Sequence, residues 1–365
     1  MTDRLSVLLR EEAAALEVPP VPGDLLAAGH RELRNRRTRT TLATALVVLL
    51  VTVGVSAAVS AWLGGDDTVQ PADRLAYEQE GAWARGDEVH VGNHVVVVPG
   101  TQALQYSSAG VVVTTEDGGF VLVTPDGDVQ PLHLPIRRST PRPPTVATDP
   151  TQPYLAYVRA VDDAASQLVV RDLGTGAETT VGDPFPEDPA GASEAQQLWD
   201  TQVFWFRRGD GRFVDWQTGE RVPYPDGPVN SQNGFGHGVT IGYDPTQQLW
   251  VVTSRSEDSR VLELPVSDPA SAHVSLSVDG RYLAASTDDG FDVHDVAAGT
   301  SVHFGDDRDV EDYGWTPDGH LVGKRYRSQA AEVEVCDPRT GTCDGTGDSY
   351  DEPLTLVSGP YALSY

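Results

Sequence analysis

The sequence predicts an all-β body assembled from a repeated four-stranded unit and carried behind one membrane-spanning helix. Three observations predict it: an uncharged apolar run near the N-terminus, a glycine turn that recurs about every 43 residues, and an excess of acid that lies almost wholly beyond the run. The chain holds 54 Asp and Glu against 26 Lys and Arg in 365 residues, a net charge of −28. This balance excludes a nucleic-acid partner, because binding phosphate needs a basic footprint. Two cysteines are too few for a disulfide framework or a four-cysteine zinc site.

Residues 1–39 read as a basic cytoplasmic head with two helical stretches. Leu5, Leu8, Leu9, Glu12 and Leu16 fall at helical spacing, Pro19, Pro20 and Pro22 forbid continuation, and Asp24 can cap a second stretch from Leu25 to Ala28. Helices this short are marginal alone, so the head is either a docking segment for a cytoplasmic partner or a stub that sets topology. His30 lacks the Cys-x-x-Cys companion of a zinc-bearing head.

Residues 40–63 read as the span. No charge falls between Thr40 and Gly65, and residues 42–63 make a helix about 33 Å long, enough for a hydrocarbon core of ~30 Å. The competing reading is a signal peptide, since Ser56-Ala57-Ala58 resembles a cleavage site. Signal peptides, however, carry apolar regions of only ~7–15 residues behind a short leader, and here about 40 residues come first. Arg31, Arg34, Arg36, Arg37 and Arg39 crowd the leading flank, which places the N-terminus in the cytoplasm and the C-terminal body outside the cell membrane. Residues 64–365 contain 48 acids and 19 basic residues.

Residues 64–87 read as a polar linker and 88–365 as the repeating body. The recurring turn contains Gly127, Gly176, Gly219, Gly299 and Gly341; the double-length gap before Gly299 is two units with a glycine missing near Ser259. A second turn precedes a strand at Asp149-Pro150, Asp244-Pro245, Asp279-Gly280 and Asp318-Gly319. The clearest unit has strands at 273–278, 282–287, 291–296 and 300–304. In the fourth unit no fourth strand is evident after 260–266. Six units cover about 103–345. Two strands at the start (88–91 and 94–98) and two at the end (354–357 and 361–364) complete a seventh, which hides both open edges. The expected fold is a seven-bladed β-propeller, with six blades as the alternative.

The stretch Ser277-Val278-Asp279-Gly280-Arg281-Tyr282-Leu283-Ala284 and its degenerate copies resemble TolB-type and WD-repeat-like propellers over residues 88–365. The likeness is one of pattern, for Trp199-Asp200 is the sole Trp-Asp and precedes a strand instead of closing one. The layout of Arg-rich head, span and acidic propeller resembles membrane-anchored propeller proteins of high-GC Gram-positive bacteria, a family of unassigned function. The resemblance implies an outward-facing propeller and no particular chemistry.

Cys336 and Cys343 flank a hairpin turn at 337–342 and are expected to pair as a disulfide on the oxidising side, stabilising by about 2 kcal/mol at most. Strand order puts the loops between strands two and three, and those between units, on one face, with 22 acids there by count. Asp306, Asp307 and Asp309 with Asp344 and Asp348 fall on consecutive inter-unit loops, a set of oxygens that suits calcium; the alternative is a solvated rim that keeps the protein soluble. No other cofactor is expected. Of the nine histidines, His90 and His94 are separated by a turn at Gly92-Asn93, and 234–238 reads as a glycine-rich connection. The aromatic block of Trp199, Phe204, Trp205, Phe206, Phe213 and Trp216 suits packing between units. The leading expectation is a membrane-tethered, non-catalytic scaffold that presents a propeller face to a protein or small ligand. The alternatives are an extracytoplasmic hydrolase or lyase using carboxylates, and a regulator whose head binds a cytoplasmic sigma-type factor.

Overall fold

A computed structural model describes residues 71–136, 145–162, 165–186, 194–207, 210–222, 234–236, 239–244, 249–254, 259–265, 274–287, 290–305, 313–327, 330–345 and 354–357. The chain divides into two units, Met1–Asp67 and Thr68–Tyr365, and every described residue belongs to the second. The expected head and span lie outside the described residues. Among those described, no helix is long and apolar enough to cross a membrane.

Among the described residues the second unit holds seven antiparallel four-stranded sheets, the arrangement of a β-propeller. Six are contiguous meanders over 101–131, 147–186, 194–222, 234–265, 274–305 and 313–345, here sheets one to six. Sheet five matches the sequence pattern closely, with Val274–Leu276, Tyr282–Thr287, Gly290–Asp295 and Thr300–Gly305 joined at its Asp-Gly and glycine turns. Sheet four corrects the reading of its unit. Ser259–Pro265 is already the fourth strand, because the sheet begins one strand earlier at Gly234–Gly236, the stretch expected to be a connection. Two glycines in three residues leave no apolar alternation to announce a strand; pairing of Phe235 with Thr240 holds it.

The remaining sheet joins the two ends of the body in the order Leu354–Leu356, Ala82–Arg85, Glu88–Val91 and His94–Val97. One C-terminal and three N-terminal strands close it, not two and two; residues 361–364 lie outside the described residues. The linker reading of 64–87 fails here. Pro71–Glu80 forms a helix, α1, and Ala82–Arg85 is a full strand with Ala82 and Ala84 wholly buried. Small alanines beside Trp83 carry too little apolar bulk to signal a strand. Ala82–Arg85 is the second strand of its sheet and starts from the face of the strand one–two turns, so the chain enters the sheet there.

Helix α1 starts with Pro71, whose missing N–H is no loss at a first position, and stops at Gly81, whose φ of +70° suits a C-terminal cap. The Gly81 amide donates to Tyr77 O at 3.0 Å. A side chain at Gly81 would collide with the Tyr106 hydroxyl, which accepts the Ala82 amide at 2.7 Å. Buried Tyr77 donates its hydroxyl to Ser107 O at 2.8 Å, and Glu78 O accepts the Asp318 amide at 3.2 Å. The helix thereby links the first turns of sheets one and six across the sheet where the ends meet.

Strand alternation sends one set of side chains to each neighbouring sheet, and second strands such as Gly110–Thr115 are buried on both faces. Ala84, Val89 and Val91 of the closing sheet pack on Leu104 and Val113 of sheet one. Val112 and Leu122 of sheet one meet Leu155 and Val169 of sheet two, whose other face packs Leu168 and Val170 on Leu198 and Val203 of sheet three. Ile241 and Val252 of sheet four meet Leu276 and Leu283. Phe291 and Phe304 of sheet five meet Trp315 and Leu321 of sheet six, and Val322 and Val333 return to Trp83 and Leu356 of the closing sheet. Each such valine, leucine, isoleucine or phenylalanine, fully buried, contributes roughly 1.5–3 kcal/mol.

Candidate functional site

Two turns recur on the face where the chain enters, and they gather the most heavily hydrogen-bonded carboxylates of the described residues. The first joins strands one and two. In sheet five the Ser277 hydroxyl donates to Asp279 Oδ1 at 2.6 Å and accepts the Tyr282 amide at 2.8 Å; in sheet six Thr316 donates to Asp318 Oδ1 at 2.7 Å and accepts the His320 amide at 3.0 Å. Sheet two uses Asp149 there. It is fully buried, its Oδ1 accepts the Thr151 and Gln152 amides, and its Oδ2 accepts the Asp200 amide of sheet three at 2.7 Å. Asp200, the acid of the lone Trp-Asp pair, holds φ at +53°, a conformation Asp tolerates in turns.

The second turn joins strands three and four and contains the recurring glycine, with φ of +72°, +74°, +67° and +71° at Gly176, Gly219, Gly299 and Gly341. Four residues before each glycine stands an aspartate that the glycine spacing alone did not single out. Asp172 Oδ1 accepts the Gly174 and Thr175 amides, Asp215 Oδ1 those of Gln217 and Thr218, and Asp295 Oδ1 those of Ala297 and Ala298; Asp337 Oδ1 accepts the Arg339 amide at 2.9 Å. A short acceptor side chain thus satisfies amides that the turn turns away from the sheet.

The aspartate at this second turn also reaches to the first turn of its own sheet. Arg281 Nε donates to Asp295 Oδ2 at 3.1 Å while its guanidinium lies 4.9 Å from the Tyr282 ring centre. In sheet six the same position is His320. Its Nδ1 lies 2.6 Å from Asp318 Oδ1, and its Nε2 lies 3.1 Å from Arg339 Nη2 and 4.0 Å from Asp337 Oδ2, while Arg339 Nε donates to Asp337 Oδ1 at 2.8 Å. Guanidinium only donates, so the 3.1 Å contact with Arg339 asks His320 Nε2 to accept, which leaves Nδ1–H to donate to Asp318. Burial pushes the Asp318 carboxyl up, but hydrogen bonds from His320 and Thr316 outweigh it and hold it below the ordinary value. Burial likewise raises Asp337, and the Arg339 side chain and amide more than reverse it. An Asp–His pair of this kind has the parts of a general base, yet Arg339 occupies the nitrogen that would take the proton. Its chemistry is that of a clamp between two turns.

Cys336 and Cys343 face each other across strands three and four of sheet six and are joined by a 2.03 Å S–S bond. Glu334 lies beside the sulfurs, but sulfurs bonded to one another are not thiolate ligands, so this trio is no metal centre. Of the expected calcium set, Asp344 is described, exposed on the last strand of sheet six opposite Val335. Asp306, Asp307, Asp309 and Asp348 lie outside the described residues. From the acid-rich face, Asp117 folds back onto its own turn, accepting the Thr115 hydroxyl and the Gly119 amide at 3.0 Å, and Glu116 and Asp183 are exposed. His90 stacks on Trp83 at 3.6 Å between ring centres and His94 pairs with Asp73 at 3.2 Å, on either side of the expected turn. The aromatic block packs between and within sheets: Trp205 on Phe185 at 4.7 Å, Trp216 on Tyr154 at 5.1 Å, Phe204 on Phe213 at 4.7 Å.

No protein-family model and no curated protein matches the chain. Among solved structures it is similar to apo AztD from Citrobacter koseri, at 15% identity and a TM-score of 0.44 over 77% of this chain and 96% of that one. It is also similar to an oligogalacturonate lyase in complex with manganese, at 12% identity and a TM-score of 0.47 over 73% and 89%. Kluyveromyces lactis Hsv2 is similar at 15% identity and a TM-score of 0.43 over 64% and 73%. Likenesses this distant carry no argument about activity, and the fold rests on the strand pairing of this chain itself.

Proposed function

We propose that the chain is a single-pass membrane protein whose seven sheets close into a seven-bladed propeller outside the cell membrane and act as a non-catalytic recognition scaffold. The observation that carries the reading is the use made of the carboxylates on the turn face: Asp149, Asp215, Asp295, Asp318 and Asp337 are each held by several hydrogen bonds within their own turns, and the Asp318–His320 pair is capped by Arg339. Groups so engaged stiffen loops, which suits a rigid display surface better than proton transfer. The Cys336–Cys343 bond supports placement in an oxidising compartment. The uncharged run at 42–63 and its arginine flank support the tether and its orientation, and the layout supports kinship with membrane-anchored propellers of high-GC Gram-positive bacteria.

Labelling of intact cells tests this reading. Ser6→Cys in the head and exposed Thr300→Cys in sheet five are each treated with a membrane-impermeant maleimide. Labelling of the second alone is expected; labelling of the first, or of neither before lysis, contradicts the proposed topology.

A further inference from the structure

We propose that the outer half of sheet two holds an oxyanion site built on Arg159 and Arg171, for a ligand bearing a carboxylate or phosphate group. This goes beyond the scaffold reading and does not depend on the tether. Register places the residues: Arg159 lies opposite Gln167, and Arg171 lies opposite Leu155 on one side and Glu178 on the other. Alternation then puts both arginines, Tyr157, Gln167 and Glu178 on one face of the sheet.

Two guanidinium groups share one carboxylate there. Tyr157 donates to Glu178 Oε1 at 2.7 Å, and Arg159 donates to Glu178 Oε2 at 3.4 Å and to Gln167 Oε1 at 3.1 Å. Gln167 is fixed in turn by donating to Gly182 O at 3.0 Å. Arg171 is left over: its closest approach to Glu178 is 3.9 Å, its Nε is shielded from solvent without an acceptor, and its fork makes no hydrogen bond among the described residues. An arginine keeps its charge at any physiological pH and its planar fork fits an oxyanion with two parallel hydrogen bonds, so a partly exposed fork that is ion-paired only at 3.9 Å, beside a second arginine, is a site that an anion completes. The surplus of one positive charge stands out in a chain of net charge −28. Tyr157 holds Glu178 by the oxygen nearer Arg171, which keeps that carboxylate from closing on the fork itself.

The test titrates the full chain in detergent micelles with inorganic phosphate and, separately, with succinate at constant ionic strength, reading calorimetric heat and melting temperature. Saturable binding with a rise in melting temperature is expected for at least one anion; phosphate alone assigns a phosphate-bearing ligand and succinate alone a carboxylate-bearing one. Glu178→Gln removes the competing charge and should tighten binding about tenfold, while Arg171→Gln should weaken it at least as much. If Arg171→Gln does not fold, the Glu178→Gln change decides alone. No saturable binding of either anion, or an affinity that Glu178→Gln leaves unchanged, overturns the site.

Discussion

Sheets five and six perform the same task with different chemistry. Both hold the first turn by a hydroxyl on an aspartate and the second by an aspartate on backbone amides, and both tie the two turns together. Sheet five does this with Arg281 reaching directly to Asp295. Sheet six places the cation on the other turn, as Arg339, sets His320 between the carboxylates, and adds a disulfide across the outer hairpin. The carboxylate positions recur while the cation moves, which teaches that the repeat is defined by what the turn amides require and that the partner of the second oxygen is free to vary.

The comparison can be broken first at the core. Leu276 and Trp315 hold equivalent places, each preceding its Ser/Thr-x-Asp-Gly turn and each about 1% exposed. Trp315→Ala should lose about 4 kcal/mol and Leu276→Ala about 3 kcal/mol in denaturant unfolding, so a negligible loss at either would contradict equivalent packing. Next comes the disulfide. Cys336→Ser with Cys343→Ser should lower stability by about 2 kcal/mol, and reductant should then have no further effect on the variant. Asp295→Ala and Asp337→Ala should each cost about 1–2 kcal/mol by stranding turn amides, and similar losses in the two sheets would confirm that the carboxylate, not its cation, is the shared element.

Acid sharpens the same point. Burial raises Asp295, but the Ala298 amide and Arg281 hold it below the ordinary value of 3.8, and the Thr218 amide chiefly does so for Asp215. Carboxylates lowered on folding stabilise above the unfolded value and lose that contribution as pH falls through the folded one, so a drop is expected below about pH 4. His294 of sheet five is held below its ordinary 6.5 by burial. An imidazole lowered on folding favours the unfolded chain as pH falls below 6.5, so a shallower decline should begin there and vanish in His294→Gln, as melting temperature against pH would record. The smallest effect is predicted for Arg281→Gln: an exposed pair contributes little, and no change in melting temperature should be resolved at physiological salt.

Much of this fold is legible in the sequence because Asp-Gly and Thr-Gly turns mark it at regular intervals, and Tyr282–Thr287 or Thr300–Gly305 alternate between them. The misses share a cause. Gly234–Gly236 and Ala82–Arg85 are short strands in which glycine or alanine takes every other position; their neighbours' pairing holds them, and side-chain periodicity carries no trace of that. The disulfide was legible because seven residues and a tight turn leave few other geometries. The clamp at His320 was not, since Asp318, His320, Asp337 and Arg339 meet only once two turns are brought together, and the aspartate before each glycine looks in sequence like one more acid among 54.

The closing sheet is the feature on which the proposed closed ring depends, and Ala84 and Thr355 are direct cross-strand partners in it. Ala84→Cys with Thr355→Cys, oxidised in the folded full chain, tests it most directly. The closure predicts an intramolecular disulfide between the two ends of the body, formed in high yield with unchanged circular dichroism. Two thiols that remain free, or that pair only after unfolding, would contradict it.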